Sequence, residues 1–140
     1  MSKKVIPLCI EDGLGVIPYN PLAGGMLSGK HDRAKAPSEG TRFAFHNYAG
    51  DMYRARYWQD QVFDAVDALH AAADEAGLAM PTMALGWVLA QPGVTSPIIG
   101  ASKPQQLDAT LKALETPLSP DLLKRLDELT REFRRGDSPR

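Results

Sequence analysis

Cysteine is nearly absent. Cys9 stands alone, so no disulfide forms within the chain, and the composition fits a reducing compartment. An excess of charge of either sign is also missing. Sixteen basic and seventeen acidic side chains leave a net charge of −1, which excludes the broad field that draws in nucleic acid or an anionic membrane. Long apolar runs are lacking as well. The longest early one, residues 5–10, contains Pro7 and is closed by Glu11-Asp12, too short for a signal-peptide core or a membrane span. The expected location is therefore cytoplasmic. His31, His46 and His70 show no metal-ligand spacing, no Cys/His pair stands at nucleophile spacing, and no carboxylate pair suggests acid–base work. The catalytic and metal sets are empty on this reading. Repeats and low-complexity tracts are absent too, and 140 residues suggest one domain.

What is present concentrates in residues 15–30, GVIPYNPLAGGMLSGK. Gly15 leads into the apolar pair Val16-Ile17, then Pro18 and Tyr19, which reads as a short strand. Asn20-Pro21 stops it, because the proline ring removes a donor and pushes Asn20 out of the helical region. Gly24, Gly25 and Gly29 follow, so the backbone there reaches conformations closed to other residues and can approach a ligand closely. Tyr19 offers a flat ring at one end and Lys30 a fixed cation at the other. Together they suit a nucleotide with a flat ring and phosphates. Taken alone, the same pattern also describes an ordinary Gly-rich turn.

Around this stretch the chain alternates. Residues 1–14 read as the end of a helix capped at Gly13, or as one that starts only at Pro7. Residues 31–58 carry charges and aromatics (Phe43, Phe45, Tyr48, Tyr53, Tyr57, Trp58) without a clean period and read as a long loop. Loops beyond about 12–15 residues are uncommon unless functional or disordered, and the aromatics argue against disorder. A helix follows over 59–76, where Val62, Val66, Leu69 and Ala73 form one stripe and Gly77 the cap. His70 beside that stripe reads as a surface or packing residue. A second helix over 81–90 is expected to bury Leu85, Val88 and Leu89 and to pack Trp87 on a neighbour. Residues 94–99 form the second strand, with regular pairing expected only from Ile98 because Pro97 lies inside it. Ser102 with Gln105 has capping-box spacing for a helix whose apolar face is Leu107, Leu111 and Leu114. Ser119-Pro120-Asp121 opens a last helix, striped by Leu122, Leu126, Leu129 and Phe133. The order predicts an α/β chain. Gly100-Ala101-Ser102-Lys103 at a helix start brings N–H groups, a hydroxyl and a cation, the equipment of a phosphate site. Ser102 as a plain cap and Lys103 as a solvated lysine remain open. Ligands of parallel α/β sheets sit beyond the carboxyl ends of the strands, where residues 19–22 and 100–103 fall.

YNPLAGGMLSGK resembles the loop after the seventh strand of aldo-keto reductases, particularly the branch that includes the potassium-channel β subunits. QPGVTSPIIGASKPQQL, residues 91–107, resembles the eighth strand and following helix. The two stretches stand in the right order and at the right separation, and the resemblance runs from about Val5 to about Phe133. It implies an α/β fold that is the C-terminal part of a (β/α)8 TIM barrel: strands seven and eight with their helices, an incomplete barrel. A whole one typically needs about 250 residues. Residues 1–133 would be a partial aldo-keto reductase domain that begins inside the helix before strand seven. Residues 134–140 would be a mobile charged tail, in which Arg135-Gly136-Asp137 matches the integrin-binding tripeptide by chance.

The resemblance further implies a cofactor, NADP(H) rather than NAD. Tyr19 would stack on the nicotinamide. Asn20, Pro21, Leu22 and Gly25 would line the pyrophosphate path, with Ser28 and Lys30 nearby. Arg42 aligns loosely with a cofactor-contacting arginine, or is a solvated loop residue. Ser102 and Lys103, led into by Gly100, would meet the adenosine 2′-phosphate, and Gln106 the adenosine half. Ala109-Thr110 stand where this branch often carries Glu-Asn, which weakens the adenine contacts. The family's tyrosine acid and its lysine, aspartate and histidine partners belong to the first half of the barrel, and none has a counterpart here. Tyr19, Tyr48, Tyr53 and Tyr57 fall in segments that match the cofactor loop. The expected function is the NADP(H)-binding C-terminal portion of a carbonyl/alcohol oxidoreductase, without the catalytic tetrad and inactive alone. Expected partners are a second copy or a separate N-terminal barrel portion, with a small carbonyl substrate only in a complete barrel. A non-enzymatic nucleotide-binding or interaction module, or a gene remnant, is the alternative.

Overall fold

The computed structural model describes residues 5–133; residues 1–4 and 134–140, the latter holding the expected tail, lie outside the described residues. Six α-helices are described: α1 (Val5–Glu11), α2 (Tyr48–Tyr57), α3 (Asp60–Glu75), α4 (Met80–Leu89), α5 (Gln105–Leu111) and α6 (Pro120–Leu129). Local chemistry accounts for their ends. Beyond α1, Leu14 N–H donates to Cys9 O at 2.7 Å and Gly13 N–H to Ile10 O at 3.3 Å, with Gly13 at φ 65°: a Schellman closure. Gly77 ends α3 in the same way, with Leu78 N–H on Ala73 O at 2.9 Å. Ser119 Oγ accepts from Leu122 N–H at 3.2 Å and Pro120 takes the first position of α6. Pro7 lies within described α1 rather than at its start, where first-turn N–H groups lack intrahelical partners in any case.

The core sits where α3, α4 and α6 meet. Val66, Leu69, Ala72, Ala73, Met80, Met83 and Leu126 form it, joined by Met26 and Phe43 from the connecting segments. Met26 and Phe43 are fully buried, worth about 1.5–3 kcal/mol each. Polar ties lock the helices in register. Thr82, also fully buried, donates Oγ1 to Ala109 O at 2.5 Å and draws α5 onto α4. Trp87 packs as expected, and its Nε1–H donates to Asp127 Oδ1 on α6 at 2.9 Å. Arg125 pairs through both guanidinium nitrogens with Glu75 on α3, a solvent-exposed contact that adds little to stability.

Four expectations are corrected. Residues 31–58 are not one loop: they hold a 3-10 turn, Arg42–Ala44, and the ten-residue α2. Asn47 Oδ1 caps α2 by accepting from Gly50 N–H at 3.1 Å, and Arg54 reaches back to the Phe43 and Phe45 carbonyls. Gly50 is where α2 crosses the chain, since a Cβ there would stand 1.9 Å from Phe45 O. No apolar stripe announces this helix because it packs by a ring edge, Tyr53 against Phe43 at 6.2 Å between centroids.

The second correction concerns the strands. Among the described residues no extended strand forms; the two segments meet at isolated parallel bridges, Val16 with Val94 and Tyr19 with Ile98. Thr95 N–H donates to Val16 O at 2.8 Å and Ile98 N–H to Pro18 O at 2.7 Å. Pairing thus starts upstream of Pro97, not at Ile98. Three residues separate the donors and two the acceptors, so the Pro97 side carries a bulge-like extra residue that absorbs the missing N–H and breaks the ladder.

Third, Leu111 and Leu114 are exposed, by 48% and 68%, while Thr110 and Ala113 are buried. The Thr82–Ala109 bond turns the small residues toward α4, and the chain tightens into a 3-10 turn at Lys112–Leu114. Fourth, Phe133 leaves the α6 stripe because α6 stops at Leu129 and Arg131–Phe133 is again 3-10; Leu89 is only half-buried. No helix of the described residues is long and apolar enough to cross a membrane.

His31 Nε2 is buried without a hydrogen-bond partner among the described residues, against the rings of Phe43 and Trp58. Burial first, and Lys30 second, hold its pKa below the ordinary 6.5. The folded chain therefore binds fewer protons than the unfolded chain in this range. Stability is expected to fall as pH drops through about 6.5 and to level off below the folded-state value. The carboxylates held low, Asp32 and Glu75, act only at more acid pH. Denaturant melts between about pH 7.5 and 5 measure this slope. His31→Phe should flatten it, and an equal slope in that variant would refute the assignment.

Candidate functional site

The two bridged segments run parallel and end side by side, one at Tyr19-Asn20 and the other at Ile98–Gly100. Asn20 sits at φ 61°, in the left-handed region that asparagine tolerates better than most residues. Its Oδ1 accepts from Gly24 N–H at 2.7 Å and from Arg42 Nη1 at 3.2 Å, while its Nδ2 donates to the Tyr57 hydroxyl at 3.3 Å. The loop curls around that amide. Leu22 O accepts from both Gly25 N–H and Leu27 N–H, at 2.9 and 3.2 Å, and Ser28 Oγ donates to Gly25 O at 2.6 Å. Gly24 is required at φ 73°, since a Cβ there would lie 2.7 Å from the Tyr53 ring.

Arg42 joins the two halves of the site. Nη1 also donates to the Tyr53 hydroxyl at 3.2 Å, and Cζ lies 5.4 Å from that ring's centroid, a cation–π contact. A Cβ built on Gly100 would stand 4.0 Å from Arg42 Nη2, so the guanidinium borders the second loop. Tyr19, Asn20, Arg42 and Gly100 are thereby brought to one end of the paired segments. The Tyr19 ring is available there, at 73% exposure.

The remaining expected residues are arranged less tightly. Ser102 N–H donates to Gln106 Oε1 at 2.8 Å and Ser102 Oγ to the same oxygen at 3.2 Å, so these two residues form a unit. The Ser102/Gln105 capping box is corrected by this: α5 begins at Gln105 behind Pro104, and the longer reach to Gln106 consumes the Ser102 N–H. The Ser102 N–H and hydroxyl are both turned onto the protein's own Gln106 side chain, and Lys103 is the exposed cation of this stretch. Lys30 and Lys103 are exposed, and neither belongs to an ion pair among the described residues. Pro21 is half-buried. Among the described residues no group of three histidine, cysteine or acidic side chains is placed to hold a metal ion.

Tyr53 and Tyr57 were not among the expected site residues. They stand four apart on α2, one helix face, and that spacing was the available signal. Chemically, the site offers an exposed aromatic face, a loop with bare glycine backbone, and cations at Lys30, Arg42 and Lys103. That set suits a planar ring linked to anionic groups.

Comparison with known proteins shows what the chain is similar to. A sequence model of the Aldo/keto reductase family matches residues 1–131. A probable voltage-gated potassium channel subunit beta of Arabidopsis thaliana is 32% identical over 131 residues, covering 92% of this chain and 39% of that protein. The uncharacterized oxidoreductase YrpG of Bacillus subtilis is 36% identical over 126 residues, 90% of this chain and 35% of that protein. An NADH-specific methylglyoxal reductase of Escherichia coli is 30% identical over 119 residues, 85% of this chain and 34% of that protein. The chain thus spans well under half the length of the curated relatives it matches. Matched across nearly all its residues, it belongs to the aldo/keto reductase family, whose fold is the TIM barrel, and represents a part of such a barrel.

Proposed function

We propose that this chain is the C-terminal, NADP(H)-binding portion of an aldo-keto reductase, with residues 15–19 and 94–99 serving as barrel strands seven and eight. Arg42 is the observation that carries the reading: it bonds Asn20 of one motif and borders Gly100 of the other. On this reading the nicotinamide stacks on Tyr19. Asn20, Pro21, Leu22 and Gly25 line the pyrophosphate path, with Ser28 and Lys30 beside it. Gly100, Ser102 and Lys103 take the 2′-phosphate, and Gln106 the adenosine half. The bound cofactor supplies the hydride; the chain's own residues bind and orient it. Thr110 is buried and Ala109 O is engaged by Thr82, so the adenine end is thinly held. One relative is an NADH-specific reductase, so the preference for NADP(H) rests here on Lys103 and Arg42 chemistry. The proposed compartment is the cytoplasm.

The proposed partner is the rest of the barrel, supplied as a separate N-terminal portion, or failing that a second copy. Ile17 and Ile98 stand 58% and 55% exposed beside the bridges, on segments whose outer edges have no strand neighbour among the described residues. The similarity to probable potassium channel β subunits supports a second reading, a nucleotide-binding module without turnover of its own.

Purified alone with NADPH and a panel of aldehydes, the chain is expected to show no carbonyl reduction, because a missing general acid forgoes roughly 10²–10⁴-fold. Chain-dependent NADPH oxidation that survives Tyr19→Ala would overturn this. Fluorescence titrations should show NADPH binding more than about tenfold tighter than NADH, one charge-assisted contact being worth about 1.5–3 kcal/mol. Lys103→Ala should erase most of that margin; equal affinities in the unaltered chain would count against the assignment. Size-exclusion chromatography with light scattering should detect self-association, or a fluorescence assay should show a partly molten chain that binds a hydrophobic dye. A monodisperse monomer with a sharp melt and no dye binding is the contrary outcome.

A further inference from the structure

Arg42 is exposed, and an exposed arginine ordinarily samples many rotamers with its fork in water. Here it is held. Nη1 carries two hydrogens, and both are spent inside the protein, one on Asn20 Oδ1 and one on the Tyr53 hydroxyl, each at 3.2 Å. Cζ lies over the Tyr53 ring, 5.4 Å from its centroid. That ring is itself wedged. A Cβ on Gly24 would meet its Cδ1 at 2.7 Å, and the fully buried Phe43 stands edge-on at 6.2 Å between centroids. Tyr57 flanks it at 6.2 Å as well. Nη2 differs from Nη1, for it makes no hydrogen bond among the described residues. Beside it stands Gly100, whose built Cβ would lie 4.0 Å from Nη2 and, chain neighbours apart, meets no other heavy atom of the described residues that closely.

We propose that Tyr53 is a positioning residue: it clamps Arg42 through Nη1 and so presents Nη2, beside Gly100, to an anionic oxygen of the ligand. Its ring and its hydroxyl do different jobs. The ring face attracts the cation but leaves it free to turn in its own plane. The hydroxyl, together with Asn20 Oδ1, fixes which nitrogen is turned to the protein and which is left for the ligand. A fork aimed in advance spares the ligand the cost of ordering a long side chain on binding. Lysine could not do the same, since a single ammonium has no second nitrogen to hold back. The inference rests on the cofactor reading, under which the oxygen belongs to a phosphate of the nucleotide.

Two measurements on the full chain test this. In ¹⁵N spectra without nucleotide, Arg42 is identified by the signals lost in Arg42→Lys. It should show separate Nη1 and Nη2 resonances, because an anchored Nη1 stops rotation about the Nε–Cζ bond. Tyr53→Phe keeps the ring, loses the hydroxyl and should merge them. In fluorescence titrations with NADPH, Tyr53→Phe should weaken binding by about three- to tenfold, the scale of one hydrogen bond. In the Arg42→Lys background the same change should cost nothing further, whereas a merely structural tyrosine would cost as much there. Resonances that stay separate in Tyr53→Phe, or equal losses in both backgrounds, would overturn the inference. Resonances already merged in the unaltered chain would do so whether or not the variant folds. Separate resonances that merge in Tyr53→Phe, with no NADPH bound by the unaltered chain, would sink the cofactor reading and leave the clamp on Arg42 standing.

Discussion

The loop depends on the side chain of Asn20. This residue holds a left-handed backbone conformation directly before a proline, and Ala23 holds a second one at φ 50° three residues on. Non-glycine residues in that region cost about 1–3 kcal/mol each, at the low end for asparagine. Three hydrogen bonds to the Asn20 amide, at a net ~0.5–1.5 kcal/mol each, offset that cost. They also set the geometry of everything nearby. Gly24 folds back over the amide oxygen, Arg42 is drawn across from the next segment, and Tyr57 orients the amide nitrogen from α2. An alanine in place of Asn20 would leave the left-handed turn, the arginine and the tyrosine without a common partner.

Around this hub the structure divides into a part that is self-sufficient and a part that is not. The contact of α3, α4 and α6 buries its own apolar faces and ties them with Trp87–Asp127, Arg125–Glu75 and, through α5, Thr82–Ala109. The paired segments cannot do the same. Two short parallel stretches interrupted by prolines share two bridges, and Ile17 and Ile98 remain open to solvent. In a barrel every strand is flanked on both sides, so residues suited to that setting have no local way to bury themselves. A portion of a barrel is thus expected to be ordered in its helices and thin in its sheet, as here.

The aromatic segment between Lys30 and Asp60 links the two parts. Phe43 reaches the core, while Tyr53 and Tyr57, from the same short helix, reach the loop. The 3-10 turn and α2 together therefore transmit the position of the helical core to Asn20 and Arg42. His31 is lodged among these rings with an unpaired nitrogen, which makes the junction sensitive to protonation.

Much of the chain was legible before any coordinates. The stripe of α3, the caps at Gly13, Gly77 and Ser119, and the turn at Asn20-Pro21 are local devices. Their physics is settled within a few residues, so they were read correctly. The two motifs also identified the family, because their glycines and prolines stand at fixed positions that their turns require. Three things depended on partners far away in sequence. α2 packs by ring edges onto residues ten or more positions distant and carries no periodic signal. Leu111 and Leu114 looked like a buried face, but a buried hydroxyl on α4 turned Thr110 and Ala113 inward instead. Arg42 looked equally like a solvated loop residue until Tyr53 and Asn20 were seen around it. The sequence by itself determined most of the helices, the caps at Gly13, Gly77 and Ser119, and the family. Only the tertiary structure decided which faces are buried and that Arg42 joins the two loops, because those choices belong to pairs of residues that no local pattern connects.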